Sequence, residues 1–160
     1  MLLKNICKIV NGSTPSTTNA EYWDGDISWI TPKDLSIQMK RFISRGERNI
    51  TQKGYNSCST TLVPKNTILL TSRAPIGYLS IAQNELCTNQ GFKSLICGDK
   101  IIPLYLYYWL LNKVDYLQSI SNGATFKELS KQALESVEIE LPNKEVQQHI
   151  VDIRGNIYAY

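Results

Sequence analysis

The sequence predicts an α+β domain, and three observations predict it. Short apolar, β-branched or alternating segments that suit strands fall in the first two thirds of the chain, at residues 26–31, 66–72, 77–83 and 93–97. The helical period takes over only after Pro103. And 160 residues, 42% hydrophobic and 19% charged, suit one globular core.

Taken in order, residues 11–26 are rich in Gly, Ser, Thr, Pro and Asn and read as a loop. Residues 26–31 turn Ile27 and Trp29 inward between polar neighbours, which suits a short strand. The next thirty residues have weak periodicity and many charges, so extended loops around a short element near Ile43 are expected. Residues 66–72 and 77–83 are β-branched and apolar, and Arg73-Ala74-Pro75-Ile76-Gly77 divides them as a hairpin turn would. Residues 93–97 read as a further strand. Pro103 opens a helix, where its missing N–H costs nothing, and Leu104, Tyr107, Tyr108 and Leu111 follow as a core stripe. A second helix is expected from Phe126 or Lys127 to Leu134. Residues 136–141 alternate Val137, Ile139 and Leu141 against Glu138 and Glu140, a half-exposed strand that Pro142 ends. Asn143 can cap a last helix with an apolar face of Val146, Ile150 and Ile153, which Gly155-Asn156 stops.

Composition narrows the function classes. No apolar run approaches the ~20 residues of a membrane span, and the first residues lack the apolar core and cleavage site of a signal peptide. Cys7, Cys58, Cys87 and Cys97 form no Cys-x-x-Cys pair and point to reduced thiols in the cytoplasm. The net charge of +3 is unevenly spread. Residues 31–60 hold six basic residues against Asp34 and Glu47, whereas residues 128–152 hold six acids against two lysines. The first region suits phosphates, although a solvated basic face reads the same from charge alone.

The signatures of catalysis are missing. No lysine has an acid two positions before it, as the common Mg²⁺ nucleases require. There is no Asn-Pro-Pro-aromatic base grip, Gly-rich cofactor loop, P-loop or Gly-x-Ser-x-Gly. His149 is the only histidine, so no triad or histidine-rich metal site can be built. Neither a metal nor a cofactor is expected.

Several segments carry a resemblance: residues 10–17, Tyr22-Trp23, Gly25-Asp26-Ile27, Trp29-Ile30-Thr31-Pro32-Lys33-Asp34-Leu35, Ile50-Thr51, Gly54, residues 69–77, Thr88-Asn89-Gln90-Gly91-Phe92-Lys93 and Gly123-Ala124-Thr125-Phe126-Lys127. In that order and spacing the chain resembles the target recognition domain of a type I restriction–modification specificity subunit, from about Ile6 to about Ile153. The resemblance implies a twisted, mostly antiparallel sheet with flanking helices, and surface loops that enter the major groove of DNA. It implies a non-catalytic subunit that places a methyltransferase (M) subunit, and through it a restriction (R) subunit, at a short half-site. On this reading residues 1–142 form the recognition domain, and residues 143–160 the start of a truncated spacer helix and its tail. That stretch is too short for a long helical pair, so a half-subunit, a truncation or a fragment is expected, with at most weak or swapped self-association.

Candidate contacts follow from chemistry. Lys33, Gln38, Lys40, Arg41, Arg45, Arg48, Gln52, Lys53 and Asn56 supply donors and acceptors in the basic region; arginine or lysine there can read guanine O6 and N7, and most such contacts go to phosphate. Asn89 and Gln90 can pair with adenine edges or tie loops to backbone. Gly91 admits close approach. Arg73 grips a phosphate or braces its loop against a carboxylate. Lys93 and Lys127 add charge, and residues 121–125, with Thr125, offer small donors ahead of a helix N-terminus, as phosphate seat or as cap. Phe126 reads as a core plug. Val146, Ile150 and Ile153 are left for the M subunit. Two rival readings share these residues: the recognition segment of a fused restriction–methylation enzyme, and an interaction protein that binds the methyltransferase and tunes restriction.

Overall fold

A computed structural model describes residues 1–157. A five-stranded sheet forms its centre. The strands are β1 (Cys7–Asn11), β4 (Phe42–Ile43), β5 (Ile68–Ser72), β6 (Ile76–Ala82) and β8 (Phe92–Cys97), in spatial order β1-β8-β5-β6-β4. Neighbours run antiparallel except β4 beside β6. Between them in sequence lie β2 (Trp23–Ile27), and β3 (Trp29–Ile30) paired in parallel with β7 (Cys87–Thr88).

The β5–β6 hairpin forms where its turn residues predict it, and every residue of β5 is buried because the sheet is covered on both faces. Ile68, Leu70, Ile81, Leu95 and Ile9 point to one side, against α3 (Pro103–Leu111) and α6 (Lys144–Ile157). Leu69, Ala82 and Phe92 point to the other, against Ile30, Leu35, Val63 and Leu86. A third cluster of Trp23, Trp29, Ile50 and Cys87 sits under the loop after β1.

Pro103 does open α3 at its first turn, but the expected stripe is only half right. Tyr107 and Tyr108 are buried, Leu104 is half-buried and Leu111 is exposed, while Tyr105, Leu106 and Leu110 complete the core side. A helix wedged against both the sheet and α6 buries more than one stripe.

Other expectations need correction. Residues 11–26 are not one loop: β1 runs to Asn11 and β2 begins at Trp23, held by isolated bridges from Trp23 and Ile27 to Ile50. Two helices occupy the basic region read as extended. In α1 (Pro32–Gln38) Thr31 and Asp34 form a reciprocal capping box ahead of Pro32 at the first turn. In α2 (Gln52–Asn56) Thr51 caps Gly54. The short element at Ile43 is β4. After α3 comes α4 (Val114–Ser119), and the helix expected from Phe126 or Lys127 is only α5 (Lys131–Glu135), capped by Ser130. The residues before it are drawn off into extended pairing, Glu128 with Asn122 and with Arg73.

Residues 136–141 keep the predicted alternation of burial, with Val137 and Ile139 buried between exposed glutamates, but the predicted strand is reduced to an isolated bridge between Glu138 and Leu2. Their partner is the N-terminus: Leu3 donates to the Val137 carbonyl at 2.9 Å and Ile139 to that of Met1 at 2.9 Å. Asn143 caps α6, accepting from Val146 N–H at 3.0 Å. The stop predicted at Gly155-Asn156 fails, because α6 continues through both to Ile157. One glycine inside a helix costs only about 1 kcal/mol, and no proline follows. The rest of the expected tail, residues 158–160, lies outside the described residues.

Candidate nucleic-acid interface

The loop between β1 and β2 is held by its neighbours rather than by its own regular structure. Ser13 N–H donates to the Thr88 carbonyl at 3.0 Å. The indole N–H of Trp29 donates to the Ser13 carbonyl at 3.0 Å, and that of Trp23 to the Ser16 carbonyl at 3.0 Å. The two indoles meet edge to face, with centroids 5.0 Å apart. Gly12 lies so close to the β7–β8 turn that a Cβ would stand 2.1 Å from the Asn89 carbonyl oxygen. Gly91 in turn lies against the Pro32 ring, so the same turn abuts the first turn of α1.

The predicted site residues divide by location. Gln90 is exposed and accepts from the Thr14 hydroxyl. Asn89 is half-buried, and its side-chain oxygen accepts from Gly91 N–H at 2.8 Å, a bond that ties the loop in the free chain. Lys33 is exposed on the adjoining turn of α1. Arg48 lays its guanidinium 3.9 Å over the Trp23 ring, which leaves its N–H edge free to meet an acceptor. Lys53 is exposed and pairs with Glu21. That carboxylate holds the Lys53 ammonium above its ordinary range, and Lys53 lowers Glu21. Gln52 and Asn56 bond each other at 3.0 Å along α2. Arg45 is exposed, and its carbonyl accepts from Gln38 at 3.0 Å.

Lys40 and Arg41 lie elsewhere. Arg41 bonds the Tyr108 hydroxyl and stacks within 6.0 Å of the Phe42 and Tyr108 rings, and with Lys40 it lines a groove beside Met39, Tyr78 and Leu111. Sequence-adjacent cations are thus split between two faces because β4 joins the edge of the main sheet.

A second group gathers in an open cleft lined by Arg73, Gln90, Lys93, Gly123, Phe126 and Lys131 among others. Glu128 is its shared counter-ion, 3.4 Å from both the Arg73 guanidinium and the Lys93 ammonium. In the free chain Arg73 therefore braces its loop against a carboxylate. Lys93 is only 6% exposed; burial pushes its ammonium down, and Glu128 opposes that shift.

Residues 121–125 do not precede a helix N-terminus, since α5 starts only at Lys131. Instead, Asn122 and Glu128 exchange backbone hydrogen bonds at 3.0 and 2.8 Å and close a tight loop. Gly123 takes φ +111° there, where a Cβ would meet the Phe126 carbonyl at 2.2 Å. The loop tip presents Thr125, Phe126 and Lys127, all exposed. Phe126 is 87% exposed and is not a core plug. Its setting between a Gly turn and a charged run is the signal against burial. Thr14, Trp23 as a platform, Glu128 and Lys131 were absent from the predicted set; a tryptophan next to a Ser/Thr-rich loop and an acid among lysines are the clues to them.

On α6 the predicted apolar face splits. Val146 and Ile153 are exposed, at 43% and 48%, and Ile150 is half-buried, whereas Val151 and Gln147 face the core. Among the described residues no group of three or more His, Cys, Asp or Glu could hold a metal ion, and no helix is long and apolar enough to cross a membrane.

A family model described as the type I restriction modification DNA specificity domain matches residues 1–159. The MjaIX specificity subunit of Methanocaldococcus jannaschii is 53% identical over 153 residues, 94% of this chain and 35% of that protein. The EcoR124I/EcoR124II specificity subunit of Escherichia coli is 30% identical over 158 residues, 94% of this chain and 38% of that protein. In fold the chain is similar to the HsdS subunit from Thermoanaerobacter tengcongensis, with a TM-score of 0.75 at 21% identity over 98% of this chain and 36% of that one. The chain thus spans little more than a third of the length of the relatives it matches.

Proposed function

Given that the chain belongs to the type I restriction–modification DNA specificity domain family, we propose that it reads one half-site of duplex DNA and carries no catalysis of its own. The observation that carries this reading is the Arg48–Trp23 stack. It holds a guanidinium on an aromatic platform beside the loop of residues 12–19, which Gln90 and Thr14 lock to the β7–β8 turn. A guanidinium held in that way can donate to paired acceptors of guanine or to phosphate at low entropic cost. Lys33 and Arg45 supply flanking charge, with Gln52, Lys53 and Asn56 on the neighbouring helix. Arg73, Lys93, Thr125, Phe126 and Lys127 form a second contact region across the cleft, in which a phosphate competes with Glu128 for Arg73. Lys40 and Arg41 take a peripheral part.

Within a cytoplasmic type I complex, Val146, Ile150 and Ile153 on α6 dock the M subunit, which brings the R subunit with it. The outward position of Val146 and Ile153 favours this role; it equally serves an interaction protein that binds the M subunit without DNA.

The test is titration of the chain into labelled duplex DNA across a salt series, with and without the M subunit. Binding whose log K falls linearly with log salt is expected, with a slope of about −0.9 per phosphate contact that Lys33→Glu and Arg48→Glu flatten. Absence of DNA binding at low salt in both arms overturns the DNA reading, and M-subunit binding that persists there establishes the interaction protein instead.

A further inference from the structure

The end of the β1–β8 ladder carries chemistry that DNA reading does not use. Cys7 and Cys97 are direct partners in that antiparallel register. Gly98 N–H donates to the Ile6 carbonyl at 2.8 Å, one residue outside the pair. The two cysteines therefore occupy a non-hydrogen-bonded position, where facing Cα atoms stand about 4.5 Å apart and side chains lie closest. A disulfide spans Cα separations of about 4.4–6.8 Å. Both thiols are free, and as direct cross-strand partners their side chains lie on the same face of the sheet.

β1 is the edge strand, and both cysteines line a cleft shared with Lys4, Lys8, Asp99 and Lys100; Cys7 is 7% exposed at the margin of the core and Cys97 is half-buried. Three lysines against one aspartate attract an anionic reagent to that cleft. The neighbouring Cys97 thiol draws that of Cys7 below its ordinary range against the opposing effect of burial, while Cys7 and burial together raise that of Cys97. Cys87 is 0% exposed and lines no part of that cleft, and desolvation pushes its thiol up to about 12.

We propose that Cys7 and Cys97 form a cross-strand dithiol site that undergoes reversible exchange with small anionic disulfides of the glutathione class. The Cys7 thiolate attacks one sulfur of the reagent, forming a protein–glutathione mixed disulfide and expelling one glutathione thiolate. Cys97 then attacks the Cys7 sulfur, closes the protein disulfide and expels the second glutathione. The protein loses two electrons and two protons, and one glutathione disulfide becomes two glutathione thiols. The bridge clamps edge strand β1 to β8 and closes a loop that includes every other strand of the main sheet.

The experiment incubates the folded chain with glutathione disulfide, quenches with acid, and maps peptides by mass. The expected product is a Cys7–Cys97 bridge two hydrogens lighter than the dithiol, with Cys58 and Cys87 recovered as thiols. Thermal unfolding of the bridged chain should shift up by roughly 5–10 °C and return on reduction. Cys97→Ser should trap one glutathione on Cys7 with no bridge. Recovery of Cys7 and Cys97 as free thiols, or a bridge that forms only when urea unfolds the chain, overturns the proposal. The wild-type map decides even if a cysteine variant fails to fold.

Discussion

Replacing Gln147 by leucine keeps the volume of the side chain and deletes its polar end. Gln147 is fully buried on the core side of α6. Its carbonyl oxygen accepts from Ile102 N–H, the unassisted N-cap of α3, at 2.8 Å, and its amide donates to the Pro142 and Lys100 carbonyls at 2.8 and 3.1 Å. One side chain thereby joins the starts of both helices. A buried group left unpaired costs about 1–3 kcal/mol. Lys100 is exposed and Pro142 half-buried, so water recovers part of their bonding and the total settles near ~3 kcal/mol. For a chain of this length that is a loss of roughly 6–12 °C in Tm. Gln147→Glu should be no milder at neutral pH, because it keeps only the bond from Ile102 and sets a carboxylate against two carbonyls. Urea and thermal melts followed by circular dichroism give both values. A Gln147→Leu chain within about 0.5 kcal/mol of wild type would refute the reasoning, since the three backbone groups would then have found other partners.

Gly12→Ala should cost more than about 2 kcal/mol in urea melts, because the new Cβ meets the backbone of Asn89 at 2.1 Å and that turn is itself pinned; a neutral result would mean that the loop can lift off. Phe126→Ala should leave stability within about 0.5 kcal/mol, given its 87% exposure, yet weaken DNA binding by about 5-fold or more if the ring stacks on DNA. Unchanged affinity removes Phe126 from the interface. The Cys87 thiol titrates at about 12 when folded, because burial disfavours its thiolate, and near ~8.5 when unfolded. Below ~8.5 both states keep the proton and this contribution to stability is whole; as pH rises from there toward 12 only the unfolded state releases it, so stability falls, by at most about 1.4 kcal/mol per pH unit. Stability curves at pH 8 and pH 10, compared with those of Cys87→Ala, isolate that slope.

Local signals were legible wherever a residue type acts within a few positions of itself. The family was readable from the order of its motifs, and the model matching residues 1–159 agrees with it. The hairpin around residues 73–77, Pro103 at a helix start, the Asn143 cap and the alternation of residues 136–141 all formed as read. The capping box of α1 was also local, Thr31-Pro32 with Asp34, but the density of charge around it obscured the helix.

What the tertiary structure decided is which surfaces those elements share. Residues 136–141 had no partner in their own neighbourhood and found it at Met1 and Leu3. The cations between Lys33 and Lys53 looked like one patch along the chain, yet β4 carries Lys40 and Arg41 to the α3 side while Arg48 remains over Trp23. Extended pairing of Glu128 with Asn122 and Arg73 shortened a helix and put Phe126 in solvent. Propensity, capping and turn chemistry act over three or four residues and can be read along a line. Strand partners, burial and the facing of Cys7 with Cys97 depend on segments far apart in sequence, and only the closing of the sheet sets them.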